Sequence, residues 1–276
     1  MKEKLVVSSC QAPNMDFLVT DLAAYLSEQL GLPVDPRLDI PWQQRESRLD
    51  EGQIDLCWIC GLPYVLKADR YPSRIRLLAA PVMYAERYRN EPIYFSDVVV
   101  RSDSPYQHLE DLRGARWAYN EPGSQSGYNI VRYGLAKLGE KGGFFGQVVE
   151  SGAHQISLQM ILDGEIDGSA IDSTVLEQEL LDDPAIISQI RIIDTLGPSP
   201  IPPWVTPIDL DVETHQRLLG CMLGMQADPH GRQILTRAGL ARFSAVQDKD
   251  YDPIREMSRA AINVRLSNRS SGANLP

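Results

Sequence analysis

The sequence predicts an α/β protein of two lobes, each a mixed, mostly parallel sheet flanked by helices. The first observation is that short apolar runs alternate with segments whose apolar residues recur at helical spacing: residues 5–9 are followed by Leu18, Leu22 and Leu26. This alternation is typical of largely parallel sheets covered by helices. The second observation is the length of 276 residues, which exceeds the roughly 100 to 200 residues of one domain.

The same alternation continues along the chain. Strands are predicted at residues 54–59, 75–82, 93–101, 116–119, 146–150, 166–171 and 190–193. Helical spacing occurs at residues 128–138, 156–162, 175–181, 218–225 and 229–238. Strands that alternate with helices in this way indicate βαβ units.

Two segments predict where the lobes are joined. Residues 197–203 (Gly-Pro-Ser-Pro-Ile-Pro-Pro) favour a stiff, extended crossing, since proline fixes φ and does not continue a helix. The strand predicted at 93–101 provides the other crossing. The first lobe is therefore predicted to comprise residues 1–93 and 197–276, and the second residues 94–196.

The pattern Gly-x-Ile-Asp occurs at residues 52–55 and again at 164–167. In both places it separates a helix from a predicted strand. Glycine can end a helix in the left-handed conformation before the chain enters a sheet. Two lobes built on one helix-to-strand plan would explain the repeat, and so would a common type of connection.

The net charge of −10 excludes one class of partner. Proteins that bind nucleic acid neutralise many phosphates with clustered Lys and Arg, whereas this chain has 27 basic and 37 acidic residues. No nucleic-acid partner is therefore expected. A single small anion can still bind, because a few local dipoles can hold it whatever the global charge.

The four cysteines do not indicate a disulfide framework or a metal centre. Cys57 and Cys60 are three residues apart, but zinc needs further ligands, and no second Cys or His pair has suitable spacing. We expect both to be small buried residues, with Cys10 near Cys60. No metal or other cofactor is expected.

The N-terminus lacks the run of about 7 to 15 apolar residues that marks a secretory signal. No segment approaches the roughly 20 apolar residues of a membrane-spanning helix. The chain as written is therefore expected to be soluble and not exported, unless a signal has been removed.

Residues 121–128 (Glu-Pro-Gly-Ser-Gln-Ser-Gly-Tyr) are the strongest candidate for a binding site. They join a predicted strand to a predicted helix, so Ser124 and Ser126 lie at a helix N-terminus. Unpaired N–H groups and the helix dipole form an anion site there, and the hydroxyls add donors. Either serine could instead act only as a helix cap. The segment lacks the patterns of a P-loop, a dinucleotide site or a nucleophile elbow.

An ordered set of short motifs resembles the phosphate, phosphite and phosphonate substrate-binding components of ABC transporters. The motifs are residues 61–65 (Gly-Leu-Pro-Tyr-Val), 94–98 (Tyr-Phe-Ser-Asp-Val), 109–114 (Leu-Glu-Asp-Leu-Arg-Gly), 121–128, 151–154 (Ser-Gly-Ala-His), 171–175 (Ile-Asp-Ser-Thr-Val) and 200–203 (Pro-Ile-Pro-Pro). The resemblance implies a type 2 periplasmic-binding-protein fold. Its two lobes would close on a small oxyanion-bearing ligand and deliver it to an ABC permease in the periplasm.

The resemblance also implies a set of ligand-binding residues: Tyr64, Tyr94, Ser124, Gln125, Ser126, Gly127, His154 and Asp172. The serines and the glycine would hold the oxyanion, and the two tyrosines would line the cleft. The histidine would contact the anion, and the aspartate would contact a polar or cationic substituent. Gln125 stands where this family usually has threonine.

These residues also allow different roles. The tyrosines could pack in a core, and Asp172 could cap a helix. An enzyme on the same fold would use Ser126, His154 and Asp172 as a catalytic triad. A cytosolic sensor or scavenger would bind the ligand without export. We expect a monomeric binding protein for a phosphonate-like or phosphate-like anion that performs no chemistry.

Overall fold

The computed structural model describes residues 2–266, apart from the side chain of residue 43. These residues form two compact units. The first contains the chain up to Tyr94 together with Ser199–Ile254. The second contains Phe95–Pro198 and the described residues from Arg255 onward. The chain therefore passes from one unit to the other three times.

Strands and helices alternate along most of the chain. In order, the strands are β1 (Leu5–Ser9), β2 (Val34–Pro36), β3 (Leu56–Trp58), β4 (Ile75–Met83), β5 (Ile93–Arg101), β6 (Arg116–Tyr119), β7 (Gln147–Glu150), β8 (Gly168–Asp172), β9 (Ile190–Pro200), β10 (Trp204–Pro207) and β11 (Leu240–Ser244). The α-helices are α1 (Asp16–Leu30), α2 (Trp42–Asp50), α3 (Gly61–Ala68), α4 (Ile130–Lys137), α5 (His154–Leu162), α6 (Ser173–Asp182), α7 (Val212–Gly224), α8 (Pro229–Arg237) and α9 (Asp252–Ala260). None of these helices is long and apolar enough to cross a bilayer.

Each unit contains one mixed sheet, with strand order β11-β4-β10-β3-β1-β2 in the first and β7-β6-β8-β5-β9 in the second. β1 is parallel to β2 and β3, and β6 is parallel to β7 and β8. β10 is antiparallel to both its neighbours, and β5 is antiparallel to β8. β5 and β10 lie where the chain has just passed from one unit to the other, so no βαβ crossover sets their direction. The predicted α/β class, with two mixed sheets flanked by helices, is confirmed. The expectation of mostly parallel pairing does not hold in the first sheet, where three of the five strand pairs are antiparallel.

The two units repeat one topology. The first runs β1-α1-β2-α2-β3 and the second β6-α4-β7-α5-β8, and in each the first strand pairs with the other two. The glycine that follows the second helix is left-handed in both, with φ of +71° at Gly52 and at Gly164. A side chain at either position would be strained. The Gly-x-Ile-Asp pattern therefore marks the same turn in each unit.

The aspartate of this pattern also has the same task in both units. The Asp55 carboxylate accepts the Val6 N–H at 2.9 Å, and the Asp167 carboxylate accepts the Arg116 N–H at 2.7 Å. Each bond therefore ties the start of the last strand to the start of its parallel neighbour. A cation pairs with each carboxylate: Lys2 with Asp55, and the Arg116 guanidinium with Asp167.

The C-terminal segment departs from the predicted lobe boundary. The sequence predicts residues 197–276 in the first lobe, but Met257, Val264 and Leu266 are buried in a core cluster of the second unit. Ile254, one turn earlier on α9, is buried in a core cluster of the first unit. Burial of these apolar side chains, rather than chain order, decides where each part of the segment belongs.

Candidate functional site

The candidate site is built at the junction between β6 and α4. Gln125–Asn129 form a turn of π-helix that continues directly into α4. Ser124 caps this turn, since its Oγ accepts the Gly127 N–H at 2.9 Å. No acidic residue lies in the first turn. The first N–H groups of a helix have no partner within it and carry the positive end of the dipole, so the junction favours an anion.

A serine and a histidine meet at this helix start. Ser126 Oγ lies 2.9 Å from His154 Nε2 and 3.4 Å from Ser124 Oγ. All three residues are buried. The Ser126 carbonyl accepts the Ser96 hydroxyl at 2.8 Å, which fixes the main chain of the turn.

The His154 ring is neutral at physiological pH, and only one of its two nitrogens has a hydrogen-bond partner among the described residues. Burial lowers the pKa of His154 to about 4. Its Nδ1 is buried and has no hydrogen-bond partner among the described residues. If Nε2 accepts the Ser126 hydroxyl, Nδ1 carries the proton; if Nε2 donates, the Ser126 hydroxyl is released. In either tautomer the pair keeps one N–H or O–H that can donate to an oxyanion.

Asn120 lies beside the candidate site, and the sequence did not reveal it. It follows β6 directly, and its Oδ1 is buried without a partner among the described residues. A Cβ at position 127 would collide with this oxygen and would lie 3.1 Å from His154 Cε1. The glycine therefore allows the asparagine and the histidine to approach the helix start. Asn120 lies at the carboxyl end of a strand, where α/β proteins bind ligands, and this position is the signal that could have identified it.

The Gln125 side chain points into the core of the unit. Its Oε1 accepts the Asn129 amide at 2.7 Å, and its Nε2 donates to Met257 Sδ at 3.2 Å. The residue is fully buried. These bonds hold the first turn of the helix against α9.

Asp172, the last residue of β8, caps α6. Its Oδ1 accepts the Thr174 N–H and the Thr174 hydroxyl, both at 2.8 Å. Burial raises the pKa of Asp172 to about 6. No hydrogen bond joins this carboxylate to His154 among the described residues, so the structure does not assemble the serine, histidine and aspartate as a triad.

Tyr64 and Tyr94 belong to the first unit. The Tyr64 hydroxyl donates to Asp248 Oδ1 at 2.6 Å, and its ring lies 4.7 Å from that of Tyr251, centroid to centroid. Both predicted tyrosines are buried. Packing, the alternative that the sequence left open for them, is thus part of their role.

Cys57 is fully buried and Cys60 half-buried. Cys10 contacts Cys57, at 3.9 Å between the sulfurs. No group of three or more His, Cys, Asp or Glu side chains in the described part of the chain is arranged to hold a metal ion.

Comparison with known proteins places this architecture in a family. The profile that matches residues 5–251 is that of the "ABC transporter, phosphonate, periplasmic substrate-binding protein" family. The chain belongs to this family. The resemblance found in the sequence motifs is thereby confirmed.

Individual relatives are distant in sequence but cover most of the chain. The phosphonates-binding periplasmic protein of Escherichia coli K12 is 23% identical over 92% of this chain and 74% of its own length. The probable ABC transporter phosphite binding protein PhnD1 of Prochlorococcus marinus is 22% identical over 87% of this chain and 82% of its own.

Solved structures share the fold. The binding component of an ABC phosphonate transporter from Pseudomonas aeruginosa has a TM-score of 0.82 at 19% identity, covering 95% of this chain and 87% of its own. PhnD1 of Prochlorococcus marinus, solved with methylphosphonate, has a TM-score of 0.82 at 20% identity, covering 95% of this chain and 99% of its own. The predicted type 2 periplasmic-binding-protein fold is confirmed.

Proposed function

We propose that this chain binds a small phosphonate-type oxyanion, such as methylphosphonate or phosphite, and supplies it to an ABC permease. The two relatives named for phosphonate and phosphite binding support this ligand class. The site is the helix start formed by Ser124, Ser126 and Gly127, with His154 beside it. We further propose that the protein acts as a monomer in the periplasm and performs no chemistry on its ligand.

The observation that carries the proposal is the Ser126–His154 pair. It is buried at the positive end of a helix, with the ring neutral and Nδ1 unpartnered among the described residues. A buried polar atom without a partner costs about 1 to 3 kcal/mol. With the proton on Nδ1, an oxyanion that accepts from this N–H and from main-chain N–H groups would remove that cost.

The four residues of the proposed site, Ser124, Ser126, Gly127 and the neutral His154, carry no formal positive charge. Hydroxyls, main-chain N–H groups and a helix dipole therefore have to balance the ligand's charge, as they can when an anion lies at a helix N-terminus. This explains how a protein with a net charge of −10 can bind an anion.

We assign the remaining predicted residues to supporting positions. Gln125 would act through its main chain, since its side chain already bonds Asn129 and Met257. Asp172, whose raised pKa lets it carry a proton near pH 6, would contact a polar or protonated substituent of the ligand. Tyr64 and Tyr94 are carried over from the family resemblance.

The absence of chemistry is supported by the Asp172 geometry. A catalytic triad needs a carboxylate on the second ring nitrogen of the histidine, whereas this carboxylate is engaged by Thr174. Methylphosphonate incubated with the protein should be recovered unchanged in its phosphorus NMR spectrum. Appearance of inorganic phosphate would contradict the proposal.

The ligand class is tested by a thermal-shift panel of methylphosphonate, phosphite, phosphate, sulfate and acetate, followed by calorimetry. A ligand at a hundred times its dissociation constant stabilises the folded protein by about 2.7 kcal/mol. We expect methylphosphonate or phosphite to raise the melting temperature more than sulfate or acetate. A panel in which neither does so would contradict the proposed ligand class.

A further inference from the structure

Asn120 and His154 bring an acceptor and a ring nitrogen together beside the turn that leads into α4. Asn120 Oδ1 and His154 Nδ1 are both buried, and neither has a hydrogen-bond partner among the described residues. The two side chains are neighbours, because a Cβ at position 127 would lie 2.0 Å from Asn120 Oδ1 and 3.1 Å from His154 Cε1. Cε1 is bonded to Nδ1, so both unpartnered atoms lie beside the Gly127 main chain.

The surroundings hold both side chains in place. The Asn120 carbonyl accepts the Gly152 N–H at 2.8 Å, and His154 Nε2 contacts the Ser126 hydroxyl at 2.9 Å. Only 9% of Asn120 and 7% of His154 is exposed, so water at the protein surface does not replace the missing partners. With the proton on Nδ1, the pair consists of one donor, the ring N–H, and one acceptor, the amide oxygen.

A fully deprotonated oxyanion matches only half of this pair. All its oxygens are acceptors, so one of them can accept from Nδ1, but none can donate to Asn120 Oδ1. A buried acceptor that faces another acceptor stays unsatisfied, which is unfavourable. A ligand that carries one hydroxyl beside a charged oxygen satisfies both atoms.

We propose that Asn120 is a specificity-determining residue, which selects the singly protonated form of a phosphonate-type ligand by accepting its P–OH proton while a second ligand oxygen accepts from His154 Nδ1. This inference rests on the proposed function, because it concerns the ligand held at the same helix start. The second pKa of a phosphoryl group is about 6 in a phosphate ester, so ligands of this class keep a proton over part of the physiological range. A sulfonate or sulfate carries no such proton and would leave Asn120 Oδ1 without a donor.

The charges around the pair also favour a singly charged ligand. The ionisable groups on the adjoining elements are Tyr119 at the end of β6, Glu121 in the same loop, Glu150 on β7, Asp172 on β8, Asp97 on β5 and His154 on α5. Carboxylates repel a doubly charged ligand more strongly than a singly charged one. Between pH 5.5 and 8.5 the His154 ring, with a pKa of about 4, stays neutral, whereas Asp172 ionises near pH 6. A test of pH dependence therefore needs a ligand that does not itself titrate.

The test compares methylphosphonate with methanesulfonate by calorimetry between pH 5.5 and 8.5. Methanesulfonate has a similar shape and a single charge but no proton, so its pH profile reports the protein groups alone. At pH 6 the wild type should bind methylphosphonate at least about tenfold more tightly than methanesulfonate. Above the second pKa of free methylphosphonate, the ratio of the two affinities should fall about tenfold per pH unit, as the singly charged fraction does. Equal affinities at pH 6, or a ratio that stays constant or rises with pH, would overturn the inference.

Asn120→Leu removes the acceptor at similar side-chain volume. Its affinity for methylphosphonate at pH 6 should fall about tenfold or more, whereas its affinity for methanesulfonate should not fall. Circular dichroism checks the fold, and the wild-type pH profile decides the question if the variant does not fold. A folded variant that binds methylphosphonate like the wild type would overturn the inference.

The phosphorus NMR shift of bound methylphosphonate is a second readout. At pH 8.5 the bound ligand should keep the shift of the singly protonated form, and the shift of the doubly charged form would overturn the inference. Methylphosphonate that binds the wild type but fails these tests contradicts the role of Asn120 alone. Absence of methylphosphonate binding at every pH contradicts the proposed function as well.

Discussion

The start of α1 in the first unit and the start of α4 in the second occupy the same place in one repeated topology, yet their side chains differ. In the first unit the protein's own carboxylate, Asp16, lies in the first turn, and no side chain caps the helix. In the second unit the Ser124 hydroxyl caps the turn, and no acidic residue lies in it. One junction supplies its own anion to the helix dipole, and the other leaves that position to hydroxyls.

This difference indicates that the topology alone does not make an anion site. Both junctions follow the strand that pairs with two parallel neighbours, and both units hold that strand through the carboxylate of Gly-x-Ile-Asp. The junctions differ in the charge of their side chains. The first contains an ion pair, in which Arg45 lies 3.6 Å from the Asp16 carboxylate. In the second, the neutral His154 ring contacts the Ser126 hydroxyl. We therefore attribute the proposed binding property to a few side chains placed on a shared scaffold.

The largest expected effect comes from giving the second junction the charge of the first. In Ser126→Asp, a carboxylate at the helix start would repel the ligand and occupy the dipole itself. Like charges placed together cost several kcal/mol, so calorimetry should show methylphosphonate affinity reduced by about a thousandfold or more. Circular dichroism checks that the variant is folded.

The matched control for that variant is Asp16→Asn, which removes the carboxylate from the first junction. Its affinity for methylphosphonate should equal that of the wild type. A folded Ser126→Asp variant that binds like the wild type would break the comparison of the two junctions.

A smaller effect is expected at the repeated aspartates. Asp55→Ala should lower the free energy of unfolding by about 3 kcal/mol, because its side chain is only 4% exposed and its loss leaves the Val6 N–H without its acceptor. Asp167→Ala should cost less, about 1 kcal/mol, since that side chain is 22% exposed and water can replace it. Urea unfolding measures both values. A larger loss at Asp167 would show that the two units use the pattern differently.

A further expected effect is the pH dependence of stability due to Asp172. Burial raises its pKa to about 6 from 3.8, so the folded state binds the proton more tightly than the unfolded state. Burial of the charged carboxylate therefore destabilises the folded state by its full amount above pH 6, and this destabilisation disappears as the pH falls towards 4. Asp172→Asn keeps an acceptor for Thr174 and should be more stable than the wild type by at most about 3 kcal/mol at pH 8. Parallel stability curves from pH 4 to 8 would contradict this.

Much of the fold follows from local sequence patterns. β5 and β6 have the predicted bounds, and α5 and α6 begin within two residues of their predicted starts. These elements carry regular apolar spacing that burial in one sheet or one helix face requires. The short β10 and the helix α3 were not predicted, because their apolar residues follow proline-rich or irregular segments without a clear period.

The C-terminal boundary could not be predicted for a different physical reason. On α9, Ile254 is buried in one core cluster and Met257 in another. Both lie on the apolar side of one amphipathic helix. Helical spacing therefore indicates that both are buried, but it does not indicate in which core cluster each is buried. Tertiary packing alone separates them.

For a similar reason the sequence points to only part of the candidate site. The serines at 124 and 126 were visible as hydroxyls at a helix start, and the family resemblance added His154. Asn120 was missed, because one polar residue after a strand has no periodic signal. The inward direction of the Gln125 side chain depends on Asn129 and on Met257, which is 132 residues away.

Calorimetry of methylphosphonate binding to Ser124→Ala/Ser126→Ala, beside the wild type, tests the central claim most directly. Hydrogen bonds to charged groups contribute about 1.5 to 3 kcal/mol each, so the double variant should lose affinity by about a hundredfold or more. Ser169→Ala, a buried hydroxyl of the same unit that donates to the Ala118 carbonyl, should bind like the wild type. Wild-type affinity in the folded double variant would contradict the claim that the start of α4 holds the anion.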